Sequence, residues 1–369
     1  MPRKDLLKNT KRVVVKIGSS LLTEKGQLAP SKISSLVNDL AALIKIKLEV
    51  VVVSSGAVAT GIGVLGKNRK NLTIPEKQAL AAVGQVALFN QYQKLFLRKK
   101  LQVGQILLTE DDIKNRRRFL NARNSIHTLL RFGVIPIINE NDSVVIKEIK
   151  FGDNDYLSAQ VAGLVEADLL ILLSDVDGFY NDLKDEQPVE EITKITDDIC
   201  QRAGGSKSDC GTGGMATKIK AAEIIMGFGH KMIIANGHQK NILSRIISGE
   251  NIGTIFLSSN KPLSSKKKWI SLKKTSGKLW VDKGATEALV IGKKSLLASG
   301  VTKIEGEFEM GDMVAIINSK GEKIGQGVTN FNFQELSKIK GQKTVAIKSI
   351  LGYSSFIEVI NRDDLIIYH

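Results

Sequence analysis

The sequence predicts an α/β protein: a three-layer αβα sandwich around a mainly parallel sheet, followed by a small β-rich domain. Three observations point there. Up to about residue 257, apolar runs alternate with helical patterns. Several of those runs are nearly continuous in Val, Ile and Leu, as strands buried on both faces of a parallel sheet are. Beyond residue 257 the chain shifts to short apolar runs separated by glycine turns.

The elements follow in order. Arg12–Ile17 holds three consecutive valines and reads as the first strand. Ser31–Lys47 is a helix, with Ile33, Leu36, Val37, Leu40 and Ile44 recurring at a period near 3.6, and Pro30 with Ser31 marks its start. Glu49–Val53 is the next strand, and Pro75 opens a long helix carrying Leu80, Val83, Ala87 and Leu88. Further strands are expected at Val103–Leu108, Val134–Ile138, Asp168–Leu173 and Lys231–Ala235. A helix opens at Gly211–Lys218 and continues through Ile219, Ala222, Ile225 and Met226. Three segments result: a first domain over 1–260, a basic linker over 261–275 rich in lysine, and a small β-rich domain over 276–369. In that last domain Lys278–Val281, Ala288–Ile291, Met313–Ile317, Ile324–Val328 and Thr344–Ile347 are expected as strands.

Bulk properties narrow the partners. The 369 residues carry a net charge of +15, which favours anionic partners such as nucleotides, nucleic acid or an acidic metabolite, although solvated surface lysine explains it equally well. No apolar run approaches the roughly 20 residues of a membrane span, so no membrane partner is expected. Met1–Lys11 is basic but no apolar segment follows it, so it does not read as a secretory signal. Two cysteines, Cys200 and Cys210, and four scattered histidines form no metal pattern, and no protein-held metal site is expected. A cytoplasmic location follows from these absences.

Polar clusters cap the strands. Ligands of open α/β sheets bind outside the carboxyl ends of strands, so Lys16, Ser55, Asn139, Asp142, Ser174 and Asp175 are expected on one rim. Lys16 ends an apolar strand, where an unpaired ammonium is costly. It reads as a contact to a transferring phosphoryl group, with the amides of Gly18 and Ser19 lining the same spot; a structural ion pair is the plainer alternative. Gly211-Thr212-Gly213-Gly214-Met215-Ala216-Thr217-Lys218 puts glycines and a hydroxyl at a helix start, where backbone amides and the helix dipole favour an anion, and Lys218 lies about one turn in. Ser54-Ser55-Gly56-Ala57 offers a hydroxyl and small-residue amides, or is a plain turn. Asn139, Asp142, Asp153, Asn154 and Asp155 are acidic or amide residues near a strand end. One carboxylate there can hold Lys16 and Lys218 while the amides take a polar acceptor; a solvated acidic loop is the alternative. Ser174 and Asp175 are candidate nucleotide contacts. The literal G-x-G-x-x-G at Gly61–Gly66 does not follow a strand directly, and it reads as a glycine-rich surface connection. No Walker A sequence is present.

Taken together these segments resemble the amino acid kinase family, in its glutamate 5-kinase branch with a C-terminal PUA domain. The resemblance rests on Val14–Ser20, Val53–Ala57, Phe119–Arg123, Ile138–Asp142, Gly152–Asp155 and Gly211–Lys218 in family order, with Trp280–Ala288 and Ile350–Tyr353 matching the PUA domain. It implies that Lys16, Gly18, Ser174, Asp175 and Thr212–Lys218 bind ATP, and that Ser55, Gly56, Ala57, Asn139, Asp142 and Asn154 bind L-glutamate. Lys16, Lys218, Asp153 and Asp155 become the catalytic set. The implied reaction takes ATP, with Mg²⁺, and L-glutamate to ADP and γ-glutamyl phosphate, the first step towards proline. Feedback by proline and a homo-oligomer, dimer or tetramer, are implied as well. Departures are modest: the loop between Tyr180 and Asp209 is short, and Ser174 replaces a threonine common in relatives. An acetylglutamate or aspartate kinase is the nearest alternative, and an RNA-binding protein using the PUA-like domain is the alternative from another class.

Overall fold

The computed structural model describes the chain apart from residues 25–26, 69–70, 145–152, 183–184, 205–213, 259–269, 271–273, 353–356 and 369. It divides into two compact units, Met1–Pro262 and Leu263–His369.

The first unit is built on strands β1 (Arg12–Ile17), β2 (Glu49–Ser54), β3 (Gln102–Leu108), β4 (Val134–Glu140), β5 (Leu169–Ser174), β6 (Glu191–Ile192), β7 (Lys231–Asn236) and β8 (Thr254–Phe256). They form one sheet in the order β3-β4-β2-β1-β5-β7-β8-β6. Every pair is parallel except β7 with β8. The continuous valine runs explain the centre: Val13, Val14 and Val15 of β1 and Val51, Val52 and Val53 of β2 are fully buried, as strands covered on both faces require.

Helices α1 (Pro30–Lys45), α2 (Ala57–Leu65), α3 (Ile74–Leu97), α4 (Asp153–Leu164) and α5 (Gly214–Gly227) lie between the strands. Helix α1 starts at Pro30, whose missing N–H is harmless in the first turn. Helix α3 starts with a capping box: the Thr73 hydroxyl accepts from the Glu76 amide while the Glu76 carboxylate accepts from the Thr73 amide. Val13, Val15 and Ile17 share a core cluster with Leu36 and Leu40 of α1 and Leu88, Tyr92 and Phe96 of α3. Side chains alternate along a strand, so Val14 and Lys16 face the opposite layer. That alternation places Lys16 towards α4.

The segment expected as a glycine-rich surface connection is instead most of α2, and Gly61 is buried within it. A Cβ on Gly61 would overlap the Leu80 carbonyl, and one on Gly84 would overlap the Ala57 carbonyl oxygen. The two glycines let α2 and α3 approach backbone to backbone.

In the second unit, β9 (Gly277–Val281), β10 (Val301–Gly306), β11 (Met313–Ile317), β12 (Lys323–Val328) and β13 (Leu365–Ile367) form a sheet in the order β10-β9-β11-β12-β13. It has its own core, including Leu279, Val314, Ile316, Phe331 and Leu336. Two expected strands are helices. Ala288–Ile291 falls in and just beyond α6 (Lys283–Val290), which Asp282 caps by accepting from the Ala285 amide at 2.7 Å. Thr344–Ile347 opens α8 (Thr344–Leu351), next after α7 (Phe333–Ile339). Most of 261–275 lies outside the described residues, but Ile270 is buried in this unit and its carbonyl accepts from Gln326 at 2.6 Å. Among the described residues no helix is long and apolar enough to cross a membrane.

Candidate active site

The strand order turns at β1, with β2 on one side and β5 on the other. Strands β4, β2, β1 and β5 are successive neighbours, and Asn139, Ser54, Lys16 and Ser174 stand at or beside their carboxyl ends. The rim expected from the sequence therefore exists, across four adjacent strands.

Lys16 is 6 % exposed, flanked in register by Val53 and Leu172. An ammonium taken out of water costs several kcal/mol unless it is paired. Its partner is Asp155 in the first turn of α4, with Lys16 Nζ 2.6 Å from Asp155 Oδ1. The other carboxylate oxygen receives Lys218 Nζ at 3.1 Å and the Thr217 hydroxyl at 2.9 Å. Thus one fully buried carboxylate clamps two lysines from opposite ends of the domain's sequence. Burial alone opposes ionisation of Asp155, but the ammonium groups of Lys16 and Lys218 override it and hold its carboxyl below the usual carboxylate range.

Lys218 has three protons. One goes to Asp155 and one to the Gly214 carbonyl at 3.1 Å, which leaves a donor for a further anion. Helix α5 begins at exposed Gly214, with Met215 half-buried and Ala216 fully buried in its first turn. Thr212 and Gly213 lie outside the described residues. Asp155 holds both lysines; the side chain of Asp153 lies outside those described.

Beside Asp155, Asn154 serves the neighbouring strands. Its amide nitrogen lies 3.0 Å from each of the Ser54 carbonyl, the Ser55 hydroxyl and Asn139 Oδ1, so its two protons are shared among three acceptors. Its own oxygen Oδ1 is buried and has no hydrogen-bond partner among the described residues. A buried acceptor left unpaired is costly, and a donor from outside the chain would satisfy it. Adjacent residues of one helical turn thus serve two half-sites, one cationic and one amide-lined.

Gly56 and Ala57 complete the second half. Gly56 takes a left-handed conformation, φ 97°, which a side chain would strain, and it starts α2 without any side-chain cap. The first-turn amides of α2 therefore offer a seat for a carboxylate. Asn139, expected near a strand end, lies within β4 and is 1 % exposed. Asp142 sits in the turn after β4, half-buried.

Two expectations change in detail. The Gly18 amide donates to the Leu173 carbonyl at 3.2 Å, so it is engaged in joining β1 to β5 and does not line a phosphate site as expected. What Gly18 contributes is space, since a Cβ would press on Leu173 O at 3.3 Å and approach Lys16 Nζ at 3.9 Å. On β5, Ser174 is buried and donates its hydroxyl to Asp175 Oδ1 at 2.9 Å. That bond, reinforced by the charges of Lys218 and His238, holds the Asp175 carboxyl below its usual range. Asp175 itself is exposed at the rim.

The sequence reading missed three contributors. Gln85 Oε1 accepts from Asn139 Nδ2 at 2.7 Å, and the Tyr92 hydroxyl lies 3.1 Å from Ser54 Oγ. Gly237 donates its amide to the Ser174 carbonyl at 2.8 Å and leaves room for Leu21. A signal existed for Gly237, a glycine directly after a strand ending in Asn236. None marks Gln85 as more than a polar residue on a helix.

Comparison with known proteins gives the chain's family. The amino acid kinase family model matches residues 11–236, and the PUA domain model matches residues 277–351. A glutamate 5-kinase of Caldanaerobacter subterraneus subsp. tengcongensis is 47% identical over 362 residues, covering 96% of this chain and 97% of the relative. A glutamate 5-kinase of Syntrophotalea carbinolica is 48% identical over 370 residues, covering 99% of each chain. A third, of Carboxydothermus hydrogenoformans, is 46% identical over 370 residues with the same coverage. A phosphoryl-transfer fold of the amino acid kinase class is thus in hand. The chain belongs to that family and, within it, to the glutamate 5-kinases.

Proposed function

We propose that this protein transfers the γ-phosphoryl group of ATP to the γ-carboxylate of L-glutamate, giving ADP and L-glutamyl 5-phosphate, the first step of proline biosynthesis. The observation that carries the proposal is the single carboxylate of Asp155 holding Lys16 and Lys218 within one site. A carboxylate is already a competent nucleophile, so no general base is needed. What remains for the protein is alignment and the neutralisation of charge on the moving phosphoryl group. Two fixed ammonium groups suit that task because they require no reorganisation at the moment of transfer.

ATP supplies the phosphoryl group when bound, and Mg²⁺ neutralises its oxygens. The residues present fit such a ligand. Lys218 keeps one proton uncommitted, Lys16 points from the neighbouring strand end, and Ser174 with Asp175 offers polar contacts at the rim. Among the described residues no cluster of three or more His, Cys, Asp or Glu side chains can hold a metal ion. That pattern suits Mg²⁺ carried by phosphates and water rather than caged by protein. On the acceptor side, the amides of Gly56 and Ala57 take a carboxylate, the Ser55 hydroxyl lines the pocket with buried Asn139 behind it holding Asn154, Asn154 Oδ1 accepts from the α-ammonium, and Asp142 adds negative charge on that side.

The family resemblance further suggests a cytoplasmic homo-oligomer, dimer or tetramer, inhibited by proline. RNA contact by the PUA domain is a proposal resting on the domain's identity alone.

The test is direct. With ATP, Mg²⁺ and hydroxylamine as a trap, glutamate yields a hydroxamate, whereas N-acetylglutamate and aspartate yield little. Preferred turnover of either analogue would replace this reading with that of another amino acid kinase.

A further inference from the structure

We propose that Gln85, on helix α3, is a positioning residue that sets the hydrogen-bonding polarity of the acceptor site through a chain of amides. The inference rests on the reading of Asn154 as an acceptor-site residue.

The direction of that chain is fixed at two points. The Ser54 carbonyl can only accept, so the Asn154 atom 3.0 Å from it is the amide nitrogen. The Glu140 amide can only donate, so the Asn139 atom 2.9 Å from it is Oδ1. Asn139 Oδ1 also accepts from Asn154 at 3.0 Å, and Asn139 therefore presents its nitrogen on its other side. Gln85 Oε1 meets that nitrogen at 2.7 Å. Were Asn139 to turn over, its NH₂ would face two donors, the Glu140 amide and the Asn154 amide. Gln85 prevents this by rewarding one orientation of a side chain that is 1 % exposed.

The consequence falls on Asn154. With its nitrogen turned to three acceptors, its buried Oδ1 is left as an acceptor without a partner among the described residues, the atom assigned here to the substrate's ammonium. An acceptor bonds the substrate's ammonium and gives nothing to an analogue with no N–H or O–H at that position. Gln85 thereby acts on discrimination for the α-amino group without touching substrate. Its placement is rigid, because adjacent Gly84 packs on the Ala57 carbonyl and Tyr92, further along the same face, meets Ser54 Oγ.

The experiment compares wild type with Gln85→Leu, Gln85→Glu and Asn154→Ala, using glutamate and glutarate, which lacks the amine. Gln85→Leu removes the acceptor for Asn139, and we expect KM for glutamate to rise roughly tenfold, the order of one lost buried hydrogen bond. The preference for glutamate over glutarate falls by a similar factor, while kcat and KM for ATP hold within about twofold. Gln85→Glu keeps an accepting oxygen and stays within about threefold of wild type. Equal losses in both Gln85 variants, or a parallel fall in kcat and ATP affinity, would overturn the proposal. Asn154→Ala separates the two claims. If it leaves KM for glutamate unchanged, the acceptor-site reading itself fails; if it raises KM while Gln85→Leu does not, only the positioning role fails.

Discussion

Asp155 works as a clamp because neither of its oxygens is spare. Oδ1 faces Lys16 and Oδ2 faces Lys218 and Thr217. Asp155→Asn would leave two buried ammonium groups facing a neutral amide, and removing one partner of a buried pair costs about 3–5 kcal/mol. Urea denaturation of the variant should show a loss of that order. The pH dependence has a definite sign. The folded-state carboxyl titrates below its unfolded value, so as pH falls the unfolded chain takes up the proton first. The stabilisation is complete above the unfolded value of about 3.9 and is lost as pH drops through the folded value. The stability gap between wild type and Asp155→Asn is therefore flat above about pH 5 and narrows below about pH 4. A gap that widens in acid would contradict the clamp. Lys16 was legible in the sequence because a lysine ending an apolar strand demands a partner. That Asp155 meets both lysines was not, since it depends on how α4 is placed against β1 and α5.

Helices α2 and α3 form the frame of the half proposed to hold the acceptor. Their contact depends on Gly61 against Leu80 and Gly84 against Ala57, where backbone is the obstacle and no flexible side chain can yield. Gly84→Ala must push α3 away from α2, at a cost of about 1–3 kcal/mol or more. Because Gln85 is the next residue and Ala57 opens α2, the variant should also raise KM for glutamate more than KM for ATP. A thermal melt and paired KM values check both parts, and an unchanged melting temperature would contradict the packing argument. This contact also shows where sequence reading stops. The strands were legible, since β-branched runs such as Val13–Val15 and Val50–Val53 have few other uses. The glycines at 61 and 84 were not, because their role is set by a second helix that no local pattern announces. Ala288–Ile291 and Thr344–Ile347 misled for a different reason: apolar runs of four residues fit a strand or a buried helical turn equally well. At the first, the capping role of Asp282 was a usable signal.

At the scale of the whole molecule, a parallel sheet gathers distant segments on one rim. Lys16 ends the first strand, Asn154 and Asp155 begin α4, and Lys218 lies one turn into α5, yet all meet at the carboxyl ends of β4, β2, β1 and β5. That convergence was legible in advance, because ligands in this architecture collect at strand ends. The amide chain through Gln85 was not, because it depends on which way α3 turns its polar side chains. A net charge of +15 is compatible with the anionic substrates proposed, as it is with solvated surface lysine. The central claim is that two clamped ammonium groups carry phosphoryl transfer. It is tested most directly by the turnover of Lys218→Ala with ATP, Mg²⁺, glutamate and a hydroxylamine trap. Loss of one preorganised charge donor should lower kcat by about 10²–10³ with the fold intact by circular dichroism; a kcat within about threefold of wild type would contradict the account.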